Sequence, residues 1–145
     1  MEINIKDFKH VIDIKLRYDD LDTYGHVNNK AYLSFLEEAR IDYHKSVFKW
    51  KSALEFSSVV AKIEINYLKP VFYNDKLSAY TKLSNIGNKS FELTTIFVVN
   101  NENESDKIVS HSKVILVSID QKTGLPNQIT DEEKEKILEF ERKTD

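Results

Sequence analysis

The chain has 145 residues, 41% of them hydrophobic and 31% charged, and its 21 basic and 24 acidic side chains leave a net charge of −3. A chain of this length builds one core and buries roughly 68–70% of its unfolded surface, so a single domain over residues 1–145 is expected. Few glycines and prolines exclude collagen-like and low-complexity readings, the acidic balance excludes a general basic field for nucleic acid, and the lack of cysteine excludes a disulfide scaffold or thiolate nucleophile.

Residues 1–10 read MEINIKDFKH and lack the apolar core of a signal peptide. The longest unbroken apolar runs, at 96–99 and 114–117, are far short of the about 20 residues of a membrane span. A cytoplasmic protein with no membrane span is the expectation. From 10 to 18 apolar and polar residues alternate, with Ile12, Ile14, Leu16 and Tyr18 on one side, which predicts a half-buried strand. Residues 19–29 read DDLDTYGHVNN, a loop composition. The period then lengthens: Tyr32, Phe35, Leu36, Ala39 and Tyr43 recur at helical spacing, with Leu33 and Ile41 widening the face. This predicts a deeply buried helix over about 29–48, with Asn28 or Asn29 as N-cap. A shorter helical stretch is read at 50–56.

Strands follow. Val59, Ala61, Ile63, Ile65 and Tyr67 mark one face of the first, and Leu77, Ala79, Thr81 and Leu83 mark the next. A turn around 85–88 contains Gly87 and leads to a strand faced by Phe91, Leu93, Thr95, Phe97 and Val99. A polar loop at 100–107 precedes a last strand over 107–119, and short connections favour antiparallel neighbours. Thr130 to Glu133 forms a capping box, opening a short helix over about 130–143 with Ile137, Leu138 and Phe140 as its apolar side. The fold class is α+β, an antiparallel sheet against one long helix.

The informative segment is 17–43. It runs through Asp22, Thr23, Tyr24, Gly25, His26, Val27, Asn28 and Asn29 to Tyr32 and the Glu38, Ala39, Arg40 stretch. A second landmark reads EINYLKP from Glu64 to Pro70, followed by Asp75, and a third is Asn88, Lys89, Ser90, Phe91. In this order the motifs resemble the acyl-CoA thioesterases of the 4-hydroxybenzoyl-CoA thioesterase type. The resemblance implies a hotdog fold, an antiparallel β-sheet wrapped around a long central α-helix. It also implies a homodimer, or a homotetramer built as a dimer of dimers, with active sites between subunits.

Thioester hydrolysis needs a group that activates water or attacks the carbonyl, and donors for the oxygen that becomes negative. With no cysteine and no nucleophile-elbow serine, a carboxylate is the simplest activator. By resemblance Asp22 is the general base or nucleophile, and the amide near Asn29 polarises the carbonyl, helped by the free N–H groups of a helix start. Ser58 is carried over as a contribution from the opposite subunit. Tyr24, Gly25, His26 and Asn28 are substrate-binding candidates, and Lys89 is a candidate cation for the CoA phosphates. Asp20 reads as a loop organiser. His10, His44 and His111 lack metal-ligand spacing, so neither metal nor cofactor is expected beyond the CoA thioester that is the substrate. A hotdog hydratase or dehydratase and a non-catalytic acyl-binding protein are the alternatives.

Overall fold

The computed structural model describes residues 2–49 and 57–142, so the helical stretch read at 50–56 lies outside the described residues. Five strands, β1 (His10–Ile14), β2 (Ser58–Tyr67), β3 (Leu77–Ile86), β4 (Ser90–Val99) and β5 (Lys107–Ser118), form one antiparallel sheet in the order β1-β3-β4-β5-β2. Helix α1 (Ala31–Phe48) packs against β1 and β3, and α2 (Asp131–Arg142) rests on α1 and β3.

The core lies between α1 and one face of the sheet. The helix buries Tyr32, Phe35, Leu36, Ala39, Tyr43 and Val47, at the spacing of one helical face, against Leu77, Ala79, Leu93, Phe97, Val114 and Leu116. Across the middle of that face the ladder aligns His10, Thr81, Thr95, Ser112 and Ile65. Their hydroxyls are satisfied inside the sheet: Thr81 and Thr95 share a hydrogen bond of 2.9 Å, and Ser112 Oγ donates to the Thr95 carbonyl at 3.0 Å. Leu33 departs from the expected helix face and stands 50% exposed.

The opposite face of the sheet has its own smaller cluster. Ile3, Ile5 and Phe8 of the N-terminal segment pack over Tyr80, Ile96, Val98 and Ile108, and Lys82 Nζ lies 4.8 Å from the Phe8 ring centre.

Three local departures from the alternation matter. Strand β1 stops at Ile14, short of 18, because the Asp20 carboxylate takes the Arg17 N–H at 2.8 Å and the chain winds into a 3-10 turn at Tyr18–Asp20. In β2 the register against β5 slips between Val60 and Lys62, so Ala61 is a bulge. Val60 therefore pairs with Leu116 and Ser58 with Ser118, which puts Ser58 and Val60, not Val59 and Ala61, on the helix-facing side with Ile63, Ile65 and Tyr67. In β3 a similar slip between Leu83 and Asn85 frees the backbone near Leu83, whose N–H finds Glu141 Oε1 at 3.0 Å.

The capping box of α2 is present, with Glu133 N donating to Thr130 Oγ1 at 3.0 Å and Thr130 N to Glu133 Oε1 at 2.9 Å. Ile137 is its one buried residue among those described, whereas Leu138 stands at the surface.

Candidate active site

The loop before α1 is a small hairpin. Leu21 bridges Val27, Asp22 N donates to the His26 carbonyl at 2.8 Å, and Gly25 N closes the turn on the Asp22 carbonyl at 3.1 Å. Gly25 takes φ +80 at the tip, and an added Cβ would meet nothing within 4 Å. The glycine is needed for its backbone conformation and not for space. The hairpin is stitched to the segment after β2: Val27 N donates to the Val71 carbonyl at 2.7 Å, and His26 bridges Phe72 with its ring edge-on at 5.0 Å. That segment is held by Asp75, whose Oδ2 accepts from Phe72 N and whose Oδ1 accepts from Asn101 Nδ2, both at 2.8 Å.

Asp22 divides its carboxylate between two tasks. Oδ1 accepts the N–H groups of Tyr24 at 2.9 Å and His26 at 3.1 Å, which shapes the turn. Oδ2 accepts from no group among the described residues. The turn is thus made with one carboxylate oxygen while the other is left uncommitted.

At the helix start the backbone groups are used in sequence. Asn28 N donates to the Asp20 carbonyl at 2.6 Å, Lys30 N to Asn28 Oδ1 at 2.9 Å and Ala31 N to the Asn28 carbonyl at 2.9 Å. The helical cap position falls on Lys30, with Asn28 capping from just outside. The Asn29 N–H between them has no partner among the described residues, while the Asn29 carbonyl receives the Tyr67 hydroxyl at 3.4 Å.

Asp22, His26 and Asn29 line one cleft of about 240 Å³, closed by Tyr32, Tyr67 and residues 68–71. Tyr24 and Gly25 belong to the same loop but point to solvent at its tip, Tyr24 83% exposed, and Asn28 acts through its backbone bracing. Ser58 and Lys89 are not brought to this cleft within one chain. Ser58 pairs with Ser118, whose N–H reaches the Lys89 carbonyl at 2.8 Å, so both stand at the far end of the sheet. Tyr67, at the cleft, is the other end of the ten-residue β2, about 30 Å away at the usual rise per strand residue. Ser58 Oγ is enclosed and has no hydrogen-bond partner among the described residues. Arg40 sits beside Glu37 and His44, away from the loop.

The family model described as the thioesterase-like superfamily matches residues 16–138. The chain belongs to the thioesterase-like superfamily. Among the relatives of this thioesterase-like chain is the long-chain acyl-CoA thioesterase FadM of Escherichia coli K12, 36% identical over 126 residues, covering 86% of this chain and 93% of that protein. The acyl-CoA thioester hydrolase YbgC of Escherichia coli O6:H1 is 26% identical, covering 84% of this chain and 93% of that protein. A thioesterase from Thermus thermophilus, solved with coenzyme A and Zn, superposes with a TM-score of 0.84 at 26% identity, covering 96% of this chain and 98% of that one. The sheet and helix are those of the hotdog fold, and the protein is a thioester hydrolase.

Tyr32 follows the loop motif and Tyr67 stands within the EINYLKP landmark, yet sequence reading gives neither a place in the site and assigns Tyr32 to the core. The cleft shows that both are also walls of the site.

Proposed function

We propose that the protein hydrolyses acyl-CoA thioesters to the free acid and CoA, with Asp22 as the activating carboxylate and the Asn29 amide as the donor to the carbonyl oxygen. The observation that carries this reading is one cleft with two unpartnered groups of opposite character. Asp22 supplies a free carboxylate oxygen and Asn29 a free N–H, beside an aromatic wall that suits an acyl chain. As general base, Asp22 Oδ2 takes a proton from water as the water oxygen bonds to the thioester carbon. The carbonyl oxygen becomes negative against the Asn29 N–H. When the carbon–sulfur bond breaks, the proton held by Asp22 passes to the CoA thiolate. As nucleophile, the same oxygen would bond to the carbon itself, expel the thiolate and leave an anhydride for water to open. No cofactor is needed in either course.

The same reading includes a homodimer through β2. This strand is a sheet edge, and Val59, Val60, Ile63, Tyr67 and Leu68 along it are between 37 and 52% exposed. A free hydrophobic edge of ten residues is a ready template for a second strand. An antiparallel β2 pair centred between positions 62 and 63 would set Ser58 of the partner subunit opposite Tyr67, at the mouth of the cleft. That would give the enclosed Ser58 hydroxyl a substrate or water to bind, and Lys89 of the partner subunit would approach the CoA phosphates. A cytoplasmic location accords with such a substrate.

Thiol release from a panel of acetyl-, octanoyl- and palmitoyl-CoA tests the reaction. Wild-type protein should release CoA from at least one, and Asp22→Asn should lower kcat by about 100-fold or more, the usual contribution of an acid–base or nucleophilic group. Near-full activity in that variant would remove Asp22 from the mechanism. Hydration of an enoyl-CoA without thiol release would instead identify a hydratase.

A further inference from the structure

Tyr32 is 3% exposed, and its ring is clamped edge-on by Phe35 at 5.7 Å, Phe97 at 5.3 Å and Tyr67 at 5.1 Å between centres. A tyrosine so deeply set normally finds a partner for its hydroxyl. This one has none among the described residues, yet the oxygen is not among the fully enclosed polar atoms. The residue lines the cleft, the open space at hand for that hydroxyl.

Its position on the helix sets where it points. Tyr32 follows Asn29 by three residues, and helical side chains lean back over the turn that precedes their own Cα. The ring therefore reaches toward the helix start, where the Asn29 N–H stands free and Tyr67 braces the Asn29 carbonyl. Burial, with Tyr67 adding to it, pushes the Tyr32 hydroxyl up to about 12, so it stays protonated, a donor, at any pH at which the protein would work.

We infer that the Tyr32 hydroxyl is a second hydrogen-bond donor to the thioester carbonyl oxygen, acting beside the Asn29 N–H as a catalytic residue. The inference rests on the hydrolysis proposed above. In the ground state the hydroxyl touches a neutral carbonyl; as water or carboxylate adds to the carbon, the oxygen gains charge and both bonds strengthen, while no covalent bond to Tyr32 forms or breaks. A phenol fixed by three aromatic neighbours needs little reorganisation to do this.

Tyr32→Phe keeps the clamped ring and removes only the oxygen, so the full chain should fold and unfold as wild type does. With the best acyl-CoA of the panel, kcat should fall by about 100-fold, within the range for loss of one oxyanion donor, while KM changes little. Infrared difference spectra of the bound ¹³C-carbonyl thioester give a second readout, in Asp22→Asn protein where substrate persists. The carbonyl band should lie at lower frequency with Tyr32 present than in the Asp22→Asn, Tyr32→Phe double variant. Unchanged kcat, a loss confined to KM, or an unmoved carbonyl band would each overturn the assignment while leaving hydrolysis intact. Wild-type protein that releases no CoA at all would sink the hydrolysis reading itself, and this one with it.

Discussion

Asp22 and Asp20 stand two residues apart in one loop and hold opposite positions. Asp22 keeps one oxygen uncommitted at a cleft, whereas Asp20 is 5% exposed and spends its carboxylate on the Arg17 N–H while its carbonyl takes the Asn28 N–H. Arg17 Nη2, 3.9 Å from Asp20, is mostly solvent-exposed and adds little. Removing the Asp20 acceptor strands a backbone donor, so Asp20→Ala should lower stability by about 1–3 kcal/mol in urea unfolding, and Asp20→Asn should lose less. His44 makes a different prediction. It is 1% exposed, stacks on Phe48 and meets Phe91 edge-on. Burial, then the charges of Arg40 and His10, depress its pKa to about 3, below the usual value near 6.5. The unfolded chain then binds a proton that the folded one refuses, so stability is intact above pH 6.5 and falls as pH drops toward 3, by up to about 1.4 kcal/mol per pH unit. Thermal unfolding across that window should show a shallower slope in His44→Phe; an equal slope would assign the acid sensitivity to other groups.

At the scale of elements, the most informative contact is one between distant segments. Glu141 near the end of α2 accepts Leu83 N at the β3 bulge with one oxygen and the Tyr43 hydroxyl at 3.2 Å with the other. It pins the last helix to both layers, and Phe140 beside it packs edge-on to Tyr43 at 5.5 Å. Glu141→Ala should speed hydrogen exchange across α2 and lower stability by about 1–3 kcal/mol. Thiol release by the folded protein should persist, since Tyr43 lies about 16 Å along α1 from Tyr32 at the rise of a helix. Helix α1, the strand faces of β3 and β4 and the α2 capping box were all legible, because burial imposes a period on residue type over many positions. Ala61 was not legible as a bulge, since an alanine in an apolar run looks the same in or out of register. Nor was the role of Ile3, Ile5 and Phe8, a segment too short to show a period. The loop motif located Asp22, His26 and Asn29 together, but spacing along a chain carries no distance across a sheet, and Ser58 and Lys89 were joined to them by resemblance alone.

For the whole molecule, the two ends of β2 pose the main question. Asp22 and Ser58 cannot serve one site inside a single chain, so a composite site requires two chains. Ile63→Lys places a charge in the middle of the free edge and should convert a dimer to monomer in sedimentation experiments, with loss of thiol release. Mixing supplies an independent check. Asp22→Asn and Ser58→Ala protein, each impaired alone, should regain activity when denatured together and refolded, because a heterodimer carries one site with both groups intact. No recovery in a sample shown to contain heterodimer would argue that each cleft works without its neighbour. The bulge at Ala61 adds a geometric consequence. One surplus residue decides which way the first three residues of the strand look: were Ala61 drawn into the regular ladder instead of bulging from it, Ser58 and Val60 would turn onto the outer surface while everything from Lys62 onward stayed where it was. The chain would keep its helix, its loop and its free carboxylate, and would present its neighbour with the wrong side chains: one alanine pulled into line would swap the two faces in a single corner of the sheet.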